Sequence, residues 1–99
     1  MCDSVEAVSR AFDDLGQVVC VLEQKVDLAT ELSVVLARGS DGNVAVFPVA
    51  ENMHKDGILD ISLVPTRVDA SLQETAVQRA TDLAQALQYV GVLLSLIHI

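Results

Sequence analysis

Residues 32–49 read LSVVLARGSDGNVAVFPV and predict a β-hairpin. Leu32 to Ala37 is a Val-rich apolar run of strand length, and Val44 to Val49 is a second run of the same kind. Between them, the segment from Gly39 to Asn43 contains two glycines, an aspartate and an asparagine, which together make the strongest turn signal in the chain. A hairpin at this position favours a mainly antiparallel sheet.

Two more strands are predicted on either side of the hairpin. Val18 to Leu22 is an unbroken apolar run, which is typical of a buried strand. Ile58 to Val64 gives a fourth strand, which Pro65 ends because proline cannot donate to a ladder. The intervening residues 50–57 are polar and turn-prone, and they are expected to form a loop.

Helices are predicted before and after the strands. Residues 4–15 have apolar side chains at helical spacing behind Asp3 and Ser4, which are good N-caps. Residues 72–88 follow a capping box formed by Ser71 and Glu74, and carry an apolar stripe made of Leu72, Ala76, Ala80, Leu83, Ala84 and Leu87. Another strand should begin at Val92. The expected fold class is α+β, with a mainly antiparallel four-stranded sheet and flanking helices.

Composition excludes several classes of protein. The 99 residues suffice for one domain or one piece of a larger domain. With 6 basic against 14 acidic residues, the net charge of -8 argues against nucleic-acid binding. The apolar run from Tyr89 to Ile99 is too short for a membrane span, which needs roughly 20 residues. Cys2 and Cys20 have no metal-ligand spacing and no signal peptide precedes them, so reduced thiols in a cytoplasmic protein are expected.

Polar residues next to the predicted strands are the candidates for ligand binding. Glu23, Gln24, Lys25 and Val26 directly follow an apolar run, and an extended backbone there could present one carbonyl and one amide to the edge of adenine. A solvated turn explains the same pattern and is the commoner case. Glu31 could accept two hydrogen bonds from a ribose diol, although a charged strand end is ordinary. Arg38 could bind a phosphate bidentately or be an edge-strand charge.

The segment from Glu51 to Gly57 concentrates Asn52, His54, Lys55 and Asp56, and is either a ligand-binding loop or an ordinary turn. His54 has no partner at metal-ligand spacing, so no metal site is predicted. The chain has no glycine-rich phosphate loop, nucleophile elbow or catalytic dyad.

Several of these stretches together resemble a known family. The run VLEQKV at 21–26, followed by ELSV at 31–34, resembles the adenine hinge and ribose carboxylate of ATP-grasp enzymes. The later runs are more specific and look like the 5-(carboxyamino)imidazole ribonucleotide synthases: ARG at 37–39, DG at 41–42, FPV at 47–49, ENMH at 51–54, DGIL at 56–59 and YVGV at 89–92. The resemblance spans roughly residues 14–93.

The resemblance implies a function. Members of this family are ATP-dependent ligases that carboxylate 5-aminoimidazole ribonucleotide with bicarbonate in purine biosynthesis. The resemblance also implies a cytoplasmic enzyme and is compatible with a homodimer. By the same resemblance, Glu23 to Val26 line the adenine, Glu31 holds the ribose, His54 is a further nucleotide contact, and Arg38 lies near the phosphates. The family's phosphate loop, Mg²⁺ ligands and most of its aminoimidazole ribonucleotide site have no counterpart here. The chain alone is therefore expected to be inactive.

The last six residues, LSLIHI at 94–99, resemble the translation of a transposon-end adaptor used in sequencing libraries. We therefore expect a partial ATP-grasp domain over residues 1–93 and a read-through tail over 94–99. Two alternatives stay open. One is another ATP-grasp enzyme, such as a biotin-carboxylase relative or the formate-using glycinamide ribonucleotide transformylase. The other is a non-catalytic α+β binding module, which would have a closed sheet and a complete core, whereas a ligase segment would leave an open apolar surface.

Overall fold

The computed structural model describes all 99 residues, and it contains two helices and five strands. All strand pairings are antiparallel, which confirms the α+β class. The sheet has five strands where four were predicted. The elements in chain order are α1 (Val5–Asp14), β1 (Glu31–Arg38), β2 (Val44–Val46), β3 (Ala50–Lys55), β4 (Ile58–Leu63), α2 (Ala70–Ala86) and β5 (Gly91–His98).

Strand β1 is the centre of the sheet. Strand β5 pairs with it along its whole length, from Glu31 opposite His98 to Arg38 opposite Gly91. The other edge of β1 is shared, because β2 pairs with its last three residues and β3 with its first three. Strand β4 then pairs with β3 and forms the outer edge. One end of β1 is therefore flanked by β3 and β4, and this is where the candidate site lies.

The predicted hairpin of residues 32–49 is present as β1 and β2. Its turn is fixed by Asp41, whose Oδ1 accepts a hydrogen bond from the backbone N–H of Asn43 at 3.0 Å. Strand β2 ends at Val46 and not at the predicted Val49. The early end has a simple cause, since Pro48 has no N–H to donate to a ladder.

One strand prediction and one loop prediction are wrong. Residues 18–22, expected as a buried strand, form no strand, and Val19 and Val21 are exposed. No strand of the chain pairs with them, and a strand without a neighbour is not stable. Residues 50–55, expected as a loop, form β3. The turn that follows is Asp56–Gly57, with φ values of 53° and 77°, as a tight two-residue hairpin turn requires.

Helix α2 packs on one face of the sheet and makes the core. Three alanines at four-residue spacing, Ala76, Ala80 and Ala84, are buried against the alternate β1 residues Leu32, Val34 and Leu36. Their small side chains allow the helix to approach the strand closely. The leucines of the predicted stripe lie beside this contact and are between 41% and 62% exposed: Leu72, Leu83 and Leu87.

The start of α2 differs from the prediction. The helix begins at Ala70 with Asp69 as its N-cap, so Ser71 lies inside the first turn and the predicted capping box does not form. Asp69 makes no side-chain capping bond. Gln73 instead donates from Nε2 to the Val68 carbonyl at 2.7 Å and ties the first turn to the preceding loop.

Helix α1 forms as expected, with the Ser4 hydroxyl accepting from the Ala7 N–H, but none of its residues is buried. Only ten of the 99 residues are buried. The radius of gyration is 16.9 Å, whereas a compact domain of this length would have about 13 Å. The molecule is therefore open, with a small core on one side of the sheet. Neither helix combines the length and the apolar character that a membrane crossing needs.

Candidate nucleotide site

A row of polar side chains crosses the sheet on the face opposite α2. Glu31 of β1 lies opposite Asn52 of β3, and Asn52 lies opposite Ser62 of β4. Because Leu32 faces α2, its neighbour Glu31 points to the other face, and the register brings Asn52 and Ser62 to that face as well. The sequence alternation thus places the core and the polar row on opposite sides of the same strands.

Asn52 joins this row by hydrogen bonds. Its Nδ2 donates to Glu31 Oε1 at 3.0 Å and also to Ser33 Oγ. Its Oδ1 accepts from the hydroxyl of Ser62 at 2.9 Å. The amide thereby uses both of its donor hydrogens within the sheet. It fixes one oxygen of the Glu31 carboxylate and leaves the other to different partners.

Two histidines approach the Glu31 carboxylate. His98 Nε2 lies 2.8 Å from Oε2, and His54 Nε2 lies 3.7 Å from Oε1. The hydrogen bond with His98 is the strongest influence on Glu31 and lowers the pKa of its carboxyl below the ordinary value. Desolvation opposes this change, while the hydrogen bond from Asn52 and the charge of His54 add to it. Glu31 is therefore an ionised acceptor at neutral pH.

The predicted site residues line two neighbouring clefts. Glu31 and His54 line a cleft of about 330 Å³ together with Asn52 and the segment 28–30. The second cleft, of about 760 Å³, is lined by residues 23–26. Leu28 and His98 contribute to both. The structure thus brings Glu31 and His54 into contact, and it puts Glu23, Gln24, Lys25 and Val26 next to them but in a separate cleft.

Arg38 does not join these residues. It lies at the other end of β1, seven residues from Glu31, which is about 23 Å in a strand. Its Nε donates to Gln85 Oε1 at 2.8 Å and its Nη1 to the Tyr89 carbonyl at 3.1 Å. In this structure the guanidinium therefore fastens the C-terminal end of α2 to the sheet.

The sequence points to Asn52 only as part of the candidate segment 51–57, and it does not point to Ser33 or Ser62. The two-residue spacing of Asn52 and His54 puts both on one face if the segment is a strand, and this is the signal that the loop interpretation does not use.

Two further features bear on ligand binding. No three His, Cys, Asp or Glu side chains gather closely enough to hold a metal ion. An apolar groove of about 610 Å³ runs between α1 and residues 17–22. Gln17 is the one polar residue of its lining, which leaves little to orient a charged ligand.

Comparison with known proteins identifies the class of protein to which this fold and site correspond. The sequence model of the ATP-grasp domain family matches residues 1–94 of this chain. The chain belongs to the ATP-grasp family.

Within that family, the chain is similar to N5-carboxyaminoimidazole ribonucleotide synthases. It is 46% identical over 84 residues to the enzyme of Brucella melitensis, a match that covers 85% of this chain and 23% of that protein. An ADP complex of an N5-carboxyaminoimidazole ribonucleotide synthetase superposes with a TM-score of 0.86 at 36% identity, over 98% of this chain and 26% of that one. The synthetase of Thermus thermophilus gives 0.85 at 36% identity, over 96% and 27%. The chain spans about a quarter of the length of these relatives.

Proposed function

We propose that this chain is the segment of an N5-carboxyaminoimidazole ribonucleotide synthase that binds the adenine and ribose of ATP. The observation that carries the proposal is the Glu31 carboxylate, whose Oε1 accepts from Asn52 at 3.0 Å in a cleft directly beside residues 23–26. The likeness to synthases of that name, one of them solved with ADP, supports it.

Residues 23–26 would receive the adenine. None of their backbone N–H or C=O groups makes a hydrogen bond within the chain. Backbone polar groups seek partners, so these are available to the donor and acceptor on the adenine edge. Side-chain identity matters little for such a contact, and Lys25 in particular need not touch the base.

Glu31 would accept hydrogen bonds from the two ribose hydroxyls, and His54, 3.7 Å from the same carboxylate, would be a further contact to the nucleotide. A charged acceptor makes stronger hydrogen bonds than a neutral one. Among the residues of this chain, Glu31 is therefore the one whose substitution should change nucleotide affinity most.

In the proposed reaction, a bicarbonate oxygen attacks the γ-phosphorus of ATP and releases ADP, giving carboxyphosphate. The amine of 5-aminoimidazole ribonucleotide then attacks the carboxyphosphate carbon, and phosphate leaves. Mg²⁺, which would neutralise the transferring phosphoryl group, would be held by residues other than those of this chain. The contribution of this chain is to hold the nucleoside so that the γ-phosphoryl group is correctly placed.

Location and assembly belong to the same proposal. Both cysteines are free, as is usual in the reducing cytoplasm, and the net charge of -8 disfavours nucleic acid as a partner. A homodimer rests on the family likeness alone.

We also propose that residues 94–99 are read-through and not natural sequence. They form most of β5 and pair with β1 in the structure. That pairing does not decide their origin, because ladder hydrogen bonds join backbone groups and an alternating apolar hexapeptide can take the place of another strand. The family model ends at residue 94, which supports the proposal, although the superposed ADP complex covers 98% of the chain and so runs into this segment. We therefore leave His98 out of the proposed site.

The competing function is a self-contained binding module. It calls for a closed sheet with a complete core, whereas the sheet here has one face packed and many exposed apolar side chains. This openness favours a segment of a larger enzyme.

The test is an ATPase assay on the complete enzyme recovered from the source locus and on the 99-residue chain. The complete enzyme should hydrolyse ATP only when both bicarbonate and 5-aminoimidazole ribonucleotide are present, and the 99-residue chain should show no turnover. A complete enzyme that requires formate or biotin in their place would contradict the proposal and support another ATP-grasp ligase.

A further inference from the structure

Asn52 is the most constrained polar residue of the candidate site, and nothing in the proposed chemistry requires it to touch the nucleotide. Only 7% of it is exposed, although it lies on the sheet face that carries the clefts. Its neighbours across the sheet are Glu31 on one side and Ser62 on the other. A buried amide costs stability unless its donors and acceptor are used, and here they are.

The hydrogen bonds also fix which way the amide points. The Glu31 carboxylate only accepts, so it requires Nδ2 on the side of β1. If the amide were reversed, Oδ1 would face this negative carboxylate, which is repulsive. With Nδ2 toward β1, Oδ1 is left toward β4, where the Ser62 hydroxyl donates to it and holds the amide in place.

The consequence falls on Glu31. A glutamate side chain has several rotatable bonds and loses that freedom when it binds a ligand. Asn52 removes part of the freedom beforehand, because it holds Oε1 at 3.0 Å from a donor whose own position is fixed. A carboxylate positioned in this way accepts hydrogen bonds from two hydroxyls at fixed separation with a smaller loss of conformational entropy than a mobile carboxylate would have.

Building on the proposed function, we infer that Asn52, held by Ser62, is a positioning residue that sets the Glu31 carboxylate for the ribose diol and thereby favours ribonucleotides over 2′-deoxyribonucleotides. The inference does not use His98.

The measurement is the ratio of the dissociation constants for 2′-deoxy-ATP and ATP, taken by titration of the complete enzyme. The parent should bind ATP at least tenfold more tightly. Asn52→Leu keeps the volume but removes every hydrogen bond, and should bring the ratio to within about twofold of one. Ser62→Ala removes only the hydrogen bond that holds Oδ1 of the amide and should lower the ratio roughly threefold.

Two controls separate positioning from general damage. Asn43→Ala changes the same residue type in the β1–β2 turn, far from the site, and should leave the ratio unchanged. A loss of structure would weaken both nucleotides alike and leave the ratio unchanged too, whereas loss of positioning should weaken ATP alone. Thermal unfolding of each variant monitors the fold, and Ser62→Ala decides the matter if Asn52→Leu does not fold.

The outcomes also distinguish this inference from the proposed function. If Glu31→Gln abolishes the preference for ATP while Ser62→Ala and Asn52→Leu keep the parental ratio, the positioning role is wrong and the ribose assignment stands. If Glu31→Gln itself keeps the parental ratio, the ribose assignment fails, and the inference about Asn52 fails with it.

Discussion

Two glutamates on paired strands have opposite environments. Glu31 faces the clefts, and its carboxylate is within reach of a ligand. Glu51 lies opposite Leu32 and therefore points to the face that carries α2. There its carboxylate accepts from the Thr66 hydroxyl and from Arg67, whose Nη2 is 2.6 Å away. Glu51 has its partners within the chain, so it serves the fold and not the ligand.

The Glu51–Arg67 pair should make stability depend on pH. The hydrogen bond from Arg67 lowers the pKa of Glu51 below its ordinary value in the folded chain. A lowered pKa stabilises the fold at pH values above the ordinary value, and this contribution is lost as the pH falls through the folded pKa. Urea unfolding of the chain should therefore show that Glu51→Gln is destabilising at pH 7 and much less so near pH 3. An equal effect at both pH values would contradict this account.

The sequence points to Glu31, Asn52 and His54, because each belongs to a run that resembles a known family, and their part in nucleotide binding stays a prediction. It was insufficient for the hydrogen bonds that join Asn52 to Glu31 and Ser62. These hydrogen bonds depend on the register of three strands, Glu31 opposite Asn52 opposite Ser62, and register is a tertiary property. A polar residue inside a strand also looks like a loop residue when only hydrophobicity is read.

At the scale of elements, the predictions succeeded where a segment's own pattern decides its structure. Helix α1 and strands β1 and β4 lie within two residues of their predicted bounds. The predictions failed at residues 18–22 and 50–55, where the presence or absence of a neighbouring strand decides whether a segment forms a strand. Strand β3 forms because β1 and β4 flank it, and residues 18–22 form no strand because no other strand pairs with them.

The close contact between α2 and β1 gives a prediction at this scale. Ala80 is 1% exposed and packs on a strand whose facing residues are fully buried. Ala80→Leu adds three carbons where there is no room and should destabilise the chain by about 1–3 kcal/mol. The adjacent Arg79 is exposed, so Arg79→Leu should change the free energy of unfolding by no more than about 0.5 kcal/mol. Urea unfolding of both variants gives the comparison, and equal effects would mean that the Ala stripe is not the packing surface.

The whole molecule has one packed and one largely unpacked side. Its core is limited to seven hydrophobic residues, while large apolar side chains such as Val19 and Val21 are exposed. The composition predicted a chain able to bury a core, but it could not show how few of the hydrophobic residues would be buried. The small number follows from the position of α1 and residues 17–22, which lie away from the sheet.

The origin of residues 94–99 is a prediction about the whole gene. Sequencing the source locus without transposon adaptors should give a different continuation after Leu93, because we propose that LSLIHI comes from the library. Recovery of the same six residues followed by a long open reading frame would contradict this. His98 would then become a natural neighbour of Glu31, with its Nε2 2.8 Å from the carboxylate.

The central claim is that Glu31 binds the ribose of ATP, and a titration of the complete enzyme with ATP tests it most directly. Glu31→Gln keeps the shape of the side chain but removes the charge. It should weaken ATP binding by roughly ten- to a hundredfold, since a charged hydrogen bond contributes about 1.5–3 kcal/mol. Lys25→Ala is the matched control and should have little effect, because the neighbouring residues read adenine through the backbone. ATP should stay preferred over GTP in both variants. ATP affinity of Glu31→Gln equal to that of the parent would contradict the account.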